Sequence, residues 1–238
     1  MSLYNRNSLK SESNYHSQYA EERLNQNDLA LISFVKQTYQ LFAASLLAAT
    51  VGAYIGISNL GYAVSQYYIG FVILEIALLV GLHFTKEKPG INLLMLFSFT
   101  FVTGLTLTPI LSRVLGMPSG AAIVAQAFLL TTAIFGIMSI VAIRTTKDLA
   151  NMGKMLFIAL IVIIIASLIN IFLGSPILQV IIAGVGAIVF SLFIAYDTQN
   201  IMRGAYDSPI MAAVSLYLDF LNLFISLLQL LGIFNSKE

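Results

Sequence analysis

The sequence predicts an all-α integral membrane protein with seven transmembrane helices, and three observations carry that expectation. The 238 residues are 58% hydrophobic and only 10% charged, with a mean hydropathy of +0.89, whereas an ordinary soluble domain is about 25% charged. Seven apolar stretches each reach the roughly 20 residues that cross about 30 Å of hydrocarbon as a helix. Those stretches are too long and too continuously apolar for the alternating strands of a barrel, and only helices or closed barrels satisfy their backbone in lipid.

Before the first stretch, residues 1–28 are polar and mixed in charge. They lack the basic start and apolar core of a cleavable signal peptide, and read as a disordered or loosely helical cytoplasmic leader to a membrane domain over 29–238. Spans are expected near 33–57, 63–84, 92–112, 121–143, 154–173, 177–202 and 210–234. Turn chemistry separates them: SNLG at 58–61, TKEKPG at 85–90, GMPSG at 116–120, RTTKDLANMG at 144–153, GSP at 174–176 and YDSP at 206–209. The fifth boundary is the slightest, since only Gly174, Ser175 and Pro176 divide two apolar runs.

Charge then orients the bundle. With seven spans, Arg23, Lys36, Lys86, Lys88, Arg144, Lys147, Lys154 and Arg203 fall on the side of the N-terminus, and only Arg113 and Lys237 on the other. The positive-inside rule therefore places the N-terminus in the cytoplasm and the C-terminus outside. An even number of spans would break this segregation. Gly52 and Gly56, and the stripe Ala183, Ala187, Ser191, Ala195, read as close helix packing.

Several classes of chemistry are excluded. The chain has no cysteine, so disulfide and thiolate chemistry are unavailable. Its histidines, His16 and His83, are too far apart to suggest a metal cage, and a net charge of +1 gives no case for nucleic acid. No cofactor is expected.

Three acids stand inside the spans: Glu75, Asp197 and Asp219. An intramembrane acid is a functional hypothesis by default. Asp197 and Asp219 each lie 11 residues from Ser208, so an antiparallel hairpin brings them level. At 1.5 Å per residue Asp197 is about 9 Å from Arg203 and Asp219 about 15 Å from Pro209, in the cytoplasmic half of the membrane. Ser215, Asp219, Asn222 and Ser226, spaced 4, 3 and 4 apart, share one helix face, which Ala212 and Gln229 extend. Two readings of that seam stand: interhelical hydrogen-bonding glue, or a water or ion path. If the carboxyls meet, one proton is shared and the pair titrates as a unit. A shared proton would hold the helices together, and its loss would drive them apart and leave a site attractive to hard cations.

These residues resemble a known family. AYDTQNI at 195–201 followed by SLYLDFLNLFISLLQLLG at 215–232, with LEIAL at 74–78 and FTFVTGLTLTPI at 99–110, are similar to the Bax inhibitor-1 (transmembrane Bax inhibitor motif) family over about residues 30–235. The short C-terminal tail looks like bacterial members, hence an inner (plasma) membrane. The resemblance implies six helices around a central seventh and a pH-dependent calcium leak, with Ca²⁺ as permeant ion. It implies that Asp197 and Asp219 are the pH sensor and gate, touched transiently by Ca²⁺ and protons, with no fixed metal site. Where bacterial members carry a latching arginine this chain has Lys86, with Lys88 as a substitute; lysine is a point charge rather than a bidentate fork. Gln126 stands where some relatives carry a glutamate. Glu75, Ser215, Asn222 and Ser226 line the expected ion path.

Three other readings compete. Intramembrane aspartyl proteases use two acids on adjacent spans, but Leu216, Tyr217 and Leu218 replace the glycine-rich motif before the second acid, so no enzyme activity is expected. A regulatory membrane protein, binding a membrane protease complex or stress-response partner without ion flux, is the main alternative. A secondary transporter would show inverted repeats or paired broken helices, which the sequence lacks.

Overall fold

The computed structural model describes residues 3–235, with side chains over 26–235, and that range is helical throughout apart from short connections. Side chains of residues 1–25, Arg23 among them, and Lys237 lie outside the described residues; the leader's backbone from Leu3 belongs to helix α1 (Leu3–Ile55). Among the described residues, seven helical stretches are long and apolar enough to cross a membrane: Gln26–Gln66, Tyr68–Thr85, Ile91–Leu115, Gly120–Arg144, Leu149–Leu173, Pro176–Met202 and Pro209–Asn235. They follow the seven expected runs in order.

The first boundary differs from expectation. SNLG does not turn the chain: Gly56–Leu60 forms one widened π-helical turn, and α2 (Gly61–Gln66) continues to a reversal at Tyr67. Gly61 adopts ordinary helical angles, and the Ser58 hydroxyl donates to the Tyr54 carbonyl at 2.7 Å, satisfying an acceptor that the widened turn would strand. The second span, α3 (Tyr68–Thr85), therefore starts five residues later than expected at 63.

Elsewhere local chemistry explains each break. The third span divides at Leu107 into α4 (Ile91–Thr106) and α5 (Thr108–Leu115), because Pro109 has no N–H to donate back and its ring crowds the preceding turn. At the GSP boundary between α7 (Gly153–Leu173) and α8 (Pro176–Met202), Gly174 takes a left-handed φ of 60°, the Ser175 hydroxyl caps the Leu178 N–H, and Pro176 opens the helix. Three residues suffice because each satisfies a different terminal requirement.

The last helix, α9 (Pro209–Asn235), is the most buried span and packs against α1, α4, α6 (Gly120–Arg144) and α8. Its Ala212, Ala213, Leu216, Tyr217, Phe220, Leu223 and Leu228 are buried, and Phe220 meets Phe42 of α1 and Phe135 of α6 edge-on at 5.9 and 5.8 Å. By contrast α3 packs chiefly on α4 and α7 chiefly on α8, and both present residues such as Ile69, Phe84, Phe157 and Phe172 outward. A helix apolar on every side suits lipid on one face and protein on the other; a helix with small residues and a polar seam belongs inside.

Close packing of α1 on α4 rests on glycine. A Cβ at Gly52 would lie 2.1 Å from the Phe101 carbonyl oxygen, and one at Gly104 would lie 2.1 Å from that of Ala49. Gly52 and Gly56 are thus packing residues, as the sequence suggested.

Candidate functional site: a buried aspartate pair under a clamped loop

The AYDTQNI stretch runs unbroken through α8, and a 3.6-residue turn sends its successive side chains to different neighbours. Tyr196 lies against Gly153 of α7. Thr198 Oγ1 is 3.3 Å from Ser139 Oγ on α6. Gln199 ties down the preceding connection, donating to the Lys147 carbonyl at 3.0 Å and accepting from the Leu149 N–H at 2.8 Å. Asp197 is left pointing at α9.

There it stands beside the carboxyl of Asp219. Each aspartate is only 6% exposed, and Asp219 Oδ2 has no hydrogen-bond partner. Among the described residues the ion pairs are Lys86–Asp207 and Arg203–Asp148, and neither includes these acids. The structure therefore brings together the two aspartates that the sequence set level, without a cation to neutralise them.

Above the pair sits Tyr206, from the loop 203–208 that joins α8 to α9. Its phenol lies near the Asp197 carboxyl and the Ser215 hydroxyl. Burial, and then the adjacent Asp197 carboxylate, hold that phenol well above the ordinary tyrosine range, so it remains a donor. The loop itself is anchored on both flanks: Lys86 Nζ pairs with Asp207, and Arg203 pairs with Asp148. The Lys86 ammonium holds the Asp207 carboxyl below the usual carboxylate range; the Ala150 N–H and then Arg203 do the same for Asp148. Lys86 thus meets the loop and not the aspartates, while Lys88, two residues on in the same connection, is exposed.

The polar seam divides between two surroundings. Asn222 and Gln229 line an open cavity of about 890 Å³ that also takes in Glu75, Thr106, Arg113 and Gln179. Thr106 donates to Glu75 at 2.8 Å. Asn222 is one turn beyond Asp219, about 4.5 Å along the axis, so the cavity ends close to the aspartate pair. Ser226 turns away from it: its hydroxyl donates to the Asn222 carbonyl at 2.8 Å and faces Gly186 of α8, where a Cβ would lie 2.8 Å from Oγ. Ser215 is at the opposite end, under Tyr206. Gln126 is on the exposed side of α6, outside the cavity wall.

Among the described residues no group of three or more His, Asp or Glu is arranged to hold a metal ion. Two carboxyls by themselves supply fewer than the about six to eight oxygens that Ca²⁺ takes. Tyr206, Asp207 and Asp148 did not stand out in the sequence, because YDSP and RTTKDLANMG read there as turn chemistry alone, and Gln199 entered only as part of the AYDTQNI motif. The one available signal was a tyrosine placed three residues before Pro209, at a hairpin tip otherwise made of small and charged residues.

Comparison with known proteins agrees with the architecture. The family described as "Inhibitor of apoptosis-promoting Bax1" matches residues 31–236. An uncharacterised protein of Helicobacter pylori is 56% identical over 238 residues, covering all of both chains, and one of Campylobacter jejuni is 52% identical over 240 residues, again covering all of both. The inner membrane protein YbhL of Escherichia coli is 33% identical over 220 residues, spanning 85% of this chain and 92% of YbhL. With seven apolar helices, and a family match running from the first to the last of them, the chain is a membrane protein of the Bax inhibitor-1 family.

Proposed function

We propose that this protein is a pH-sensitive cation leak, with Ca²⁺ as the permeant ion, gated by the Asp197–Asp219 pair. The observation that carries the reading is the pair itself: two carboxyls buried side by side, one oxygen without a partner, one helical turn from an open cavity that holds Glu75 and Asn222. Two unit charges about 4 Å apart repel by about 4 kcal/mol at an effective dielectric constant near 20. One shared proton is therefore the low-energy arrangement, and it bridges α8 to α9. Loss of that proton separates the helices and leaves a negative site that draws a cation from the cavity. Glu75 and Asn222 form the outer approach, and the Tyr206 loop closes the other end.

The excess of basic residues on the N-terminal side supports a cytoplasmic position for that loop. A bacterial inner membrane, as for YbhL, is the setting. Reconstitution into liposomes loaded with a calcium indicator, with pH varied, tests the reading. Flux should rise with pH and lose its pH dependence in Asp197→Asn/Asp219→Asn. Flux indifferent to both would sink the gate, and a partner that still binds the double variant without any flux would favour a regulatory role.

A further inference from the structure

The latch of this gate is indirect. Lys86 reaches Asp207, in the loop, and not Asp197 or Asp219. Asp207 immediately follows Tyr206, whose phenol lies between Asp197 and Ser215. On the other flank Arg203 is pinned to Asp148, and Gln199 holds the backbone at Lys147 and Leu149. Two ion pairs thus hold the loop that carries Tyr206, and α1 closes from the side, with Leu31 3.5 Å from where a Cβ on Gly204 would be.

We propose that Tyr206 is a positioning residue and stopper for the aspartate gate, and that Lys86 latches the path by pinning the Tyr206 loop through Asp207. Tyr206→Phe keeps the ring, which packs against the core cluster, and removes the hydroxyl, so it separates the influence of the hydroxyl on Asp197 from the plug; Tyr206→Ala removes both. This inference rests on the leak reading for its effect on flux, but its geometry can be tested without flux.

Other ionisable groups around the phenol leave it as the controlling contact. Asp197 of α8 and Asp219 of α9 act on it directly. Tyr39 of α1 packs in the same apolar cluster, and α4 carries no ionisable side chain. Lys36 of α1, Arg144 of α6 and Lys154 of α7 are exposed, and His83 of α3 acts on Asp207.

Two measurements on the full chain test the inference. In calcium-indicator liposomes, Lys86→Asp should raise the leak severalfold at the pH where the wild-type protein is closed, and Lys86→Asp/Asp207→Lys should return it to the wild-type level. Tyr206→Ala should leak like Lys86→Asp. Tyr206→Phe should remain closed at low pH but shift the pH of half-maximal flux upward by about one unit, because the ionised Asp197 has lost the polar hydroxyl beside it. A merely structural role would lower the amplitude and leave that pH in place. The chain has no cysteine, so spin labels at Glu87→Cys and Ala205→Cys read the loop separation without background. The wild-type distance should be single and short, should broaden and lengthen with Lys86→Asp, and should recover with the charge swap. No loop response to Lys86→Asp, or no shift with Tyr206→Phe in a protein whose flux is pH-dependent, overturns the inference. A loop that responds as stated in a protein that passes no ions overturns the leak reading and leaves the clamp standing.

Discussion

Replacing Gly52 by alanine should destabilise the bundle by about 1–3 kcal/mol, although alanine is intrinsically the better helix former by about 0.8–1 kcal/mol. The added Cβ would lie 2.1 Å from the Phe101 carbonyl oxygen, 3.0 Å from its carbon and 3.3 Å from Gly104 Cα. All three are backbone atoms of α4, so no rotamer change can make room. Ordinary contact is near 3.4 Å, so α1 and α4 must part by about 1 Å, loosening the seam on which Phe42, Leu96 and Phe99 pack. Gly70→Ala on α3 is the control, since a Cβ there meets nothing within 4 Å. Unfolding in mixed micelles, followed by circular dichroism, should show Gly52→Ala losing stability while Gly70→Ala holds or gains. Gly104→Ala enters the same gap from the other side, 2.1 Å from the Ala49 carbonyl oxygen. Once the helices have parted, the second substitution costs less, so the double variant should fall short of the sum. Equal stability of Gly52→Ala and Gly70→Ala would refute the argument that backbone approach holds this seam.

Further predictions concern the two ends of the bundle. The Asp207 carboxyl is held below its ordinary value by Lys86; a depressed carboxylate contributes its stabilisation above its unfolded pKa and loses it as pH falls through the folded one. The labelled loop distance should therefore lengthen as pH falls below about 4, the opposite direction in pH from the opening of the gate. Salt should weaken the same clamp, because both of its ion pairs are exposed; the closed-state leak should rise between low and about 1 M salt. At the opposite end Gln179 donates to Gln229 at 2.8 Å and accepts from Asn170 at 2.9 Å, joining α7, α8 and α9. Gln229→Leu should cost about 0.6 kcal/mol and no more than about 1.7, measured by the same unfolding titration. Tyr217→Phe removes the hydroxyl bonded to Thr103 in a fully buried position and should cost about 1 kcal/mol, again by the unfolding titration.

What the sequence by itself determined is the part governed by solvent and by local chemistry. Lipid demands long apolar helices, so the seven spans were legible from composition and turn residues, and GSP at 174–176 could be read because each of its residues serves a terminal need of its own. The aspartate pair was legible too, since equal distance from Ser208 in a helical hairpin fixes equal depth by rise per residue alone. The widened turn at Gly56–Leu60 was not, because whether SNLG turns or stays helical depends on a hydroxyl capturing a carbonyl and on how closely Gly56 meets Thr108. Only the tertiary structure decided that Ser226 leaves the cavity while Asn222 lines it, that Lys86 grips Asp207, and that Tyr206 comes near Asp197. Those contacts join residues as far apart as Lys86 and Asp207, and nothing in helical period or local propensity says which loop ends meet. That choice is made by the packing of whole helices around α9.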